Sequence, residues 1–360
     1  MQRTGYASLY LHGGHAPPWL WGRMVKLGSS MMDAMEDEYG PDGVLERLSD
    51  TFFFQSLSNC LGFDWNSSGT TTVLCGVLDE ILRSGRYGIR AVGGKGRRSK
   101  AALSQLEIVA DDFNFGDGKL TSLRRASRLT AKVDNNMIQA GYQLYHHTML
   151  VSETGGWAVV QQGMNPKTKL ARRYHWLSGS VDCFVEEPHE GIVCDMAHEG
   201  VLDLTARDSG GNRGTIIDLV KESMAHLKND YSRISCGQKT LLDWSKPVES
   251  YDVPARMNWD AVEKAYELQP ENFEELLLTE GLGGKTLRGL SLVAELLYGQ
   301  KPSWKDPVKY SFAFGGKDGV PFPVLRKDYD RAIEVLEQAV RQSRLGDRDK
   351  VLALKRMGRA

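Results

Sequence analysis

The chain has 360 residues, 41% hydrophobic and 25% charged, with 45 Lys and Arg against 46 Asp and Glu for a formal net charge of -1. That balance excludes a disordered chain, a uniformly basic nucleic-acid coat and a uniformly acidic tail protein, and the length predicts two domains. No run of about 18 apolar residues exists to span a membrane, and Met1–Leu20 lacks the apolar stretch of a signal peptide. Cys60, Cys75, Cys183, Cys194 and Cys236 form no C-x-x-C pair, which predicts reduced, buried thiols in a cytoplasmic protein and no structural zinc.

In chain order, apolar residues recur at helical spacing over Trp19–Tyr39, and further helices are expected over Val44–Leu48, Thr72–Ser84 and Leu103–Phe113. Gly93-Gly94-Lys95-Gly96 interrupts the pattern. Gln143–Val151 and Trp157–Gln162 are β-rich runs separated by Ser152-Glu153-Thr154-Gly155-Gly156, a hairpin loop. Thr205–Leu227 is mixed and ends in a helix, and Ser245–Met257, with Pro247 and Pro254, reads as a linker. Helices then follow over Trp259–Leu268, Asn272–Thr279, Lys285–Tyr298 and Tyr329–Ser343. The expected organisation is an α/β or α+β domain over residues 1–204, a helical connector and linker over 205–257, and a mainly α-helical domain over 258–360.

The near-zero net charge hides a segregated distribution. Arg83, Arg86, Arg90, Lys95, Arg97, Arg98 and Lys100 occupy a stretch with no acid, as do Lys119, Arg124, Arg125, Arg128 and Lys132. Lys167, Lys169, Arg172 and Arg173 make a third cluster, while the acids gather in Asp33–Asp50, Asp182–Asp203 and Asp260–Glu280. Such segregation suits a polyanion-binding face with an acidic back. Gly93-Gly94-Lys95-Gly96 could cradle a phosphate through backbone N–H groups and Lys95, although it lacks the Walker spacing.

Across the predicted hairpin, Val151 facing Trp157 sets His147 opposite Gln161 and His146 opposite Gln162, one pair on each sheet face. Imidazole and amide groups on otherwise apolar strands cost stability unless paired, so His146 and His147 are candidates for acid–base work or for pairing with the glutamines. Asp134 precedes the hairpin, and Arg172, Arg173 and His175 follow it. Together these residues could form a phosphodiester-cleaving site. Asp134 would hold a divalent metal ion (Mg²⁺ or Mn²⁺), a histidine would activate water and arginine would stabilise developing charge.

Phe273–Leu297 contains Gly281-Leu282-Gly283 and Lys285-Thr286 between two helical runs. It resembles the helix-hairpin-helix module of DNA-repair proteins. Gly281 and Gly283 would admit a phosphate, the N–H groups near Thr286 would point at it, and Lys285 and Arg288 would add charge. Such contacts hold DNA without reading its sequence. The module also resembles the core of base-excision glycosylases, with Lys285 at the lysine position and Asp306 a few residues beyond the usual aspartate position.

The whole chain resembles the uncharacterised family called domain of unknown function 763. Arg3–Leu20 (RTGYASLYLHGGHAPPWL), Gly93–Gly96 (GGKG), Gly141–Thr148 (GYQLYHHT), Trp157–Asn165 (WAVVQQGMN), Arg172–Ser178 (RRYHWLS) and Phe314–Val324 (FGGKDGVPFPV) carry the likeness. This family implies no chemistry of its own. The residues therefore support three expectations: a metal-dependent DNA nuclease of repair, a helix-hairpin-helix glycosylase or lyase, and a non-enzymatic DNA-binding factor. DNA is the expected partner, no membrane is expected, and self-association is left open.

Overall fold

The computed structural model describes residues 16, 18–62, 69–194, 197–235, 252–308, 310–311, 326–342 and 346–356. Most of Arg3–Leu20, Phe314–Val324, Cys236 and the linker up to residue 251 lie outside these residues.

Helix α1 (Pro18–Ser49) is broken at Gly40, whose φ of 65° and ψ of 176° leave the helical region ahead of Pro41. The expected helices over 19–39 and 44–48 are the two arms of this element. Proline opens the second arm at little cost because the first helical N–H has no partner anyway. Asp50 caps α2 (Thr51–Cys60) by accepting from the Phe53 N–H at 2.6 Å. With α3 (Gly69–Leu82) these helices bury Met24, Met31, Met35, Phe54, Leu74 and Leu78 in one core. Helices α12 (Arg326–Gln342) and α13 (Asp347–Arg356) add Leu336, Val340 and Ala353 to it.

The main sheet has the order β1 (Ile89–Lys95), β3 (Gln143–Ser152), β4 (Trp157–Asn165), β5 (Leu170–Leu177), β6 (Gly191–Cys194), β9 (Tyr310–Ser311). Its pairs are antiparallel except β6 with β9. A smaller antiparallel sheet joins β2 (Ile138–Gln139), β7 (Glu199–Asp203) and β8 (Ser303–Lys305). The fold is therefore a mixture of helices and antiparallel sheet, and the α/β alternative gives way to α+β. In the hairpin, Val151 pairs with Trp157, His147 with Gln161 and His146 with Gln162, the expected register.

Helices cover both faces of the sheet. Leu150, Ala158 and Val160 share the core of α1–α3. Met149, Val151, Val159, Tyr174 and Trp176 face the second core, with Leu106 of α5 (Ala102–Asp112) and Leu129 and Val133 of α6 (Asp117–Asn136). The same core takes in Ile216 and Leu219 of α7 (Gly210–Lys221), Leu227 of α8 (Met224–Ser235) and Val262 of α9 (Trp259–Leu268). It also takes in Leu276 of α10 (Phe273–Leu278) and Leu290 and Val293 of α11 (Gly284–Tyr298). Residues on both sides of 204 and of 257 thus share one apolar core.

Gly93 shows why glycine interrupts β1. Its φ is +91°, and a Cβ there would lie 2.2 Å from the His147 carbonyl oxygen. Gly93→Ala is expected to cost at least about 2 kcal/mol, from backbone strain plus overpacking. A urea unfolding midpoint unchanged from wild type would contradict this.

Candidate active site on the central sheet

Helix α6 buries Leu123, Ala126, Ser127, Thr130, Val133 and Asp134, the stripe that meets the sheet. Ser127 and Asp134 are seven positions apart and so lie on one helix face. The stripe brings both to the face of β3–β5 that carries His147, Gln161, Tyr174 and Trp176.

A continuous chain of hydrogen bonds results. Asp134 Oδ2 accepts from Trp176 Nε1 at 3.1 Å and from Gln161 Nε2 at 2.5 Å, and Asp134 Oδ1 lies 2.5 Å from His189 Nε2. Gln161 Oε1 is 2.9 Å from His147 Nδ1, and His147 Nε2 is 2.9 Å from Ser127 Oγ. Trp176 Nε1 can only donate, so Oδ2 is an acceptor and the Gln161 group facing it is the NH₂. Gln161 then presents its carbonyl to His147, which places the ring proton on Nδ1 and leaves the Nε2 lone pair facing the Ser127 hydroxyl. Burial lowers the His147 pKa against the raising effect of Gln161, which favours the neutral ring. Burial raises the Asp134 pKa, opposed first by His189 and then by its other donors.

The structure thus brings Asp134, Gln161 and His147 together in one hydrogen-bonded chain. There the Asp134 oxygens meet Trp176, Gln161 and His189, and the carboxylate anchors the network. Among the described residues no cluster of three or more His, Cys, Asp or Glu side chains could hold a metal.

His146 and His175 lie on the opposite sheet face, away from His147. His146 Nε2 is 3.0 Å from Thr148 Oγ1, and its Nδ1 is buried without a hydrogen-bond partner among the described residues. Burial, then His147, Lys95 and Arg98, push its pKa down to about 3. Gln162 is held by Thr71 and Tyr145. His175 is fully buried, edge-on to Phe54 at 5.2 Å between ring centroids.

Strand β1 ends in the glycine-rich corner. Gly93, Gly94 and Gly96 all have positive φ, and Lys95, Arg97, Arg98 and Lys100 are exposed around the single turn α4 (Arg97–Lys100). Arg98 is paired with Asp79 at 2.8 Å. A cavity of about 370 Å³ lies on one side, lined by Gly93, Gly94, Lys95, Arg98, Cys75 and His146. Another of about 230 Å³ is lined by Ser99, Lys100, Arg128, Tyr145, Ser127 and His147.

Arg172 and Arg173, expected to contact DNA, are both fully buried, which removes them from any DNA-facing surface. Arg172 pairs with Asp306 at 2.6 Å and lies over the Tyr142 ring. Burial opposes its charge, but Tyr174, Cys194 and Asp306 more than offset that and raise its pKa. Arg173 donates to Gln55 Oε1 and lies over Phe54; burial lowers its pKa to about 10, still above neutrality. Asp306 Oδ2 takes both the Arg172 ion pair and the His198 N–H at 2.8 Å, and the carboxylate is buried.

Helices α10 and α11 flank the expected glycine turn, with Leu282 buried beneath it. The turn leans on α6, where Lys132 Nζ donates to the Leu282 carbonyl at 3.2 Å. Gly281 and Lys285 remain exposed and Gly283 is half-buried. Thr286 is buried and accepts from the Asn258 N–H, while Arg288 donates to the Asp252 carbonyl at 2.9 Å.

Ser127, Tyr145, Trp176 and His189 complete the site without having been anticipated. The spacing of Leu123, Ala126, Thr130 and Val133 is the signal that would have placed Ser127 on the buried stripe. His189 sits between strands β5 and β6, where no periodicity points to it.

An α+β fold whose antiparallel sheet buries histidine-centred polar chains beneath a basic, glycine-rich corner is the class defined by these observations. The chain belongs to the family described as Protein of unknown function (DUF763), which it matches over residues 5–324. No curated protein and no solved structure matches the chain. No helix among the described residues is long and apolar enough to cross a membrane.

Proposed function

We propose that this protein binds the sugar-phosphate backbone of DNA across the Gly93–Lys100 corner and acts there as a nuclease. The observation that carries the reading is the corner itself, where glycines of positive φ and the exposed Lys95, Arg97 and Lys100 stand between two cavities reached by His146 and His147. The Gly93 and Gly96 N–H groups already donate to Gln105 Oε1 and the Tyr145 carbonyl, so the phosphate contacts fall to the exposed cations, which supply the sequence-independent part of nucleic-acid affinity. Lys285 at the start of α11 supports a second contact, the hairpin reading of the C-terminal helices. The lyase alternative is weaker, because Asp306 is committed to Arg172. A divalent metal would have to be recruited with the phosphates, since the carboxylate expected to hold it is already engaged.

The test is fluorescence anisotropy of labelled single- and double-stranded DNA over a salt series, followed by cleavage assays with and without Mg²⁺ or Mn²⁺. Affinity is expected to fall steeply with salt. The Lys95→Ala/Arg97→Ala/Lys100→Ala variant should bind at least about tenfold more weakly, with a shallower salt slope by about 0.7–0.9 per lost contact. Binding insensitive to both salt and this variant would overturn the reading.

A further inference from the structure

Serine inside a helix can donate back to the carbonyl four residues earlier. Ser30 and Ser232 do so in this protein, donating to the Lys26 and Lys228 carbonyls. The Ser127 hydroxyl instead lies 2.9 Å from a ring nitrogen, His147 Nε2. Ser127 and His147 both line the cavity of about 230 Å³ that also receives the cations Lys100 and Arg128 and the phenol of Tyr145.

We infer that Ser127 is a nucleophile, with His147 as its general base, Gln161 and Asp134 as positioning residues behind the histidine, and a phosphodiester as the substrate class. The inference rests on the nucleic-acid reading for its substrate, while the serine–histidine geometry stands independently of it. A hydroxyl beside an imidazole whose far nitrogen is fixed by a third group is the arrangement that activates serine. Here the third group is an amide, itself locked by the buried carboxylate of Asp134. Lys100 and Arg128 supply the positive charge that a phosphoryl transition state requires.

In the first step Ser127 Oγ attacks phosphorus and its proton passes to His147 Nε2. The bond from phosphorus to the leaving alcohol breaks, and His147 returns the proton to that oxygen. One half of the substrate is now esterified to Ser127 as a phosphodiester. Water then attacks the same phosphorus, giving its proton to His147, and Ser127 leaves with that proton, releasing a phosphomonoester. Neither step changes an oxidation state or needs a further reactant.

The experiment treats the full chain with a fluorophosphonate, which reacts only with an activated and accessible serine and expels fluoride. The expected result is a mass gain of one phosphonyl group, mapped to Ser127. His147→Ala should slow labelling at least about 100-fold, the lower end of what a positioned general base contributes. Gln161→Glu places a carboxylate against His147 Nδ1 and should move the pH midpoint of labelling upward, which a merely structural glutamine would not do. Release of 4-nitrophenol from bis(4-nitrophenyl) phosphate should be abolished by Ser127→Ala while anisotropy shows DNA binding within about twofold of wild type. Absence of an adduct on Ser127 of the wild-type chain, or equal labelling rates in wild type and a folded His147→Ala variant, would overturn the inference. Because DNA binding is read separately, loss of the nucleophile and loss of the nucleic-acid reading give different results.

Discussion

Asp306→Ala is expected to destabilise the protein by about 3–5 kcal/mol, because it strands the Arg172 guanidinium in the core without its anion. Arg172 and Asp306 are 0% and 1% exposed and meet at 2.6 Å, so neither charge can turn to water when the other is removed. The same substitution also removes the acceptor of the His198 N–H. Replacing both partners by apolar residues, Arg172→Met with Asp306→Leu, should recover most of the loss, since no uncompensated charge is then buried. Urea unfolding of the wild type, both single variants and the double variant gives the coupling directly. A double variant no better than Asp306→Ala would show that the pair does not act as a unit. Arg172 joins β5 to the segment after β8, so the pair ties the main sheet to the C-terminal part of the chain.

Stability should fall as pH drops below about 6.5, the ordinary histidine value. His146, His147 and His175 are each shifted downward by burial, His146 to about 3. A depressed histidine is neutral in the folded state and charged in the unfolded one between those two values. The unfolded chain therefore binds more protons, and stability declines with falling pH by up to about 1.4 kcal/mol per pH unit for each such group. Asp134 and Asp203 act in the opposite sense, because burial raises their pKa. Their contribution to stability is present at low pH and is lost as pH rises through their folded values. It therefore opposes the histidines at the acid end of the range. Urea midpoints at pH 8, 7, 6 and 5 should trace the decline. His146→Asn, which takes up no proton, should flatten it by about one proton's worth. A profile flat from pH 7 to pH 5, or one unaltered by His146→Asn, would contradict the assignment.

The hairpin was legible because its period and loop length are local. Five residues from Ser152 to Gly156 set Val151 opposite Trp157, and the alternation of a strand then fixes His147 opposite Gln161 and His146 opposite Gln162. Helix α9 was legible for a similar reason, with Asn258 capping a clear apolar repeat. Strand β1 was obscured because Gly93 and Gly94 look like punctuation, whereas close approach to the His147 carbonyl is what demands glycine at 93. Helix α6 was hidden behind its own basic residues. Arg124 is paired with Glu107 and Arg125 with Glu274, while the inward stripe carries Ser127 and Asp134.

Arg172 and Arg173 mark the limit of that reading. Adjacent arginines in a strand look like an anion-binding pair, and alternation says only that they point to opposite faces. Whether a face is wet or covered depends on helices distant in sequence, and here both faces are covered. From the chain alone came several of the helices, the hairpin, its register and the segregation of charge, all of them local features of the sequence. Which polar groups meet was settled by packing: α6 carries Asp134 to Gln161 and Ser127 to His147, and the segment after β8 carries Asp306 to Arg172. A buried polar group must find its partner wherever the fold brings one, and nothing in the local sequence names a partner that lies 27, 20 or 134 residues away.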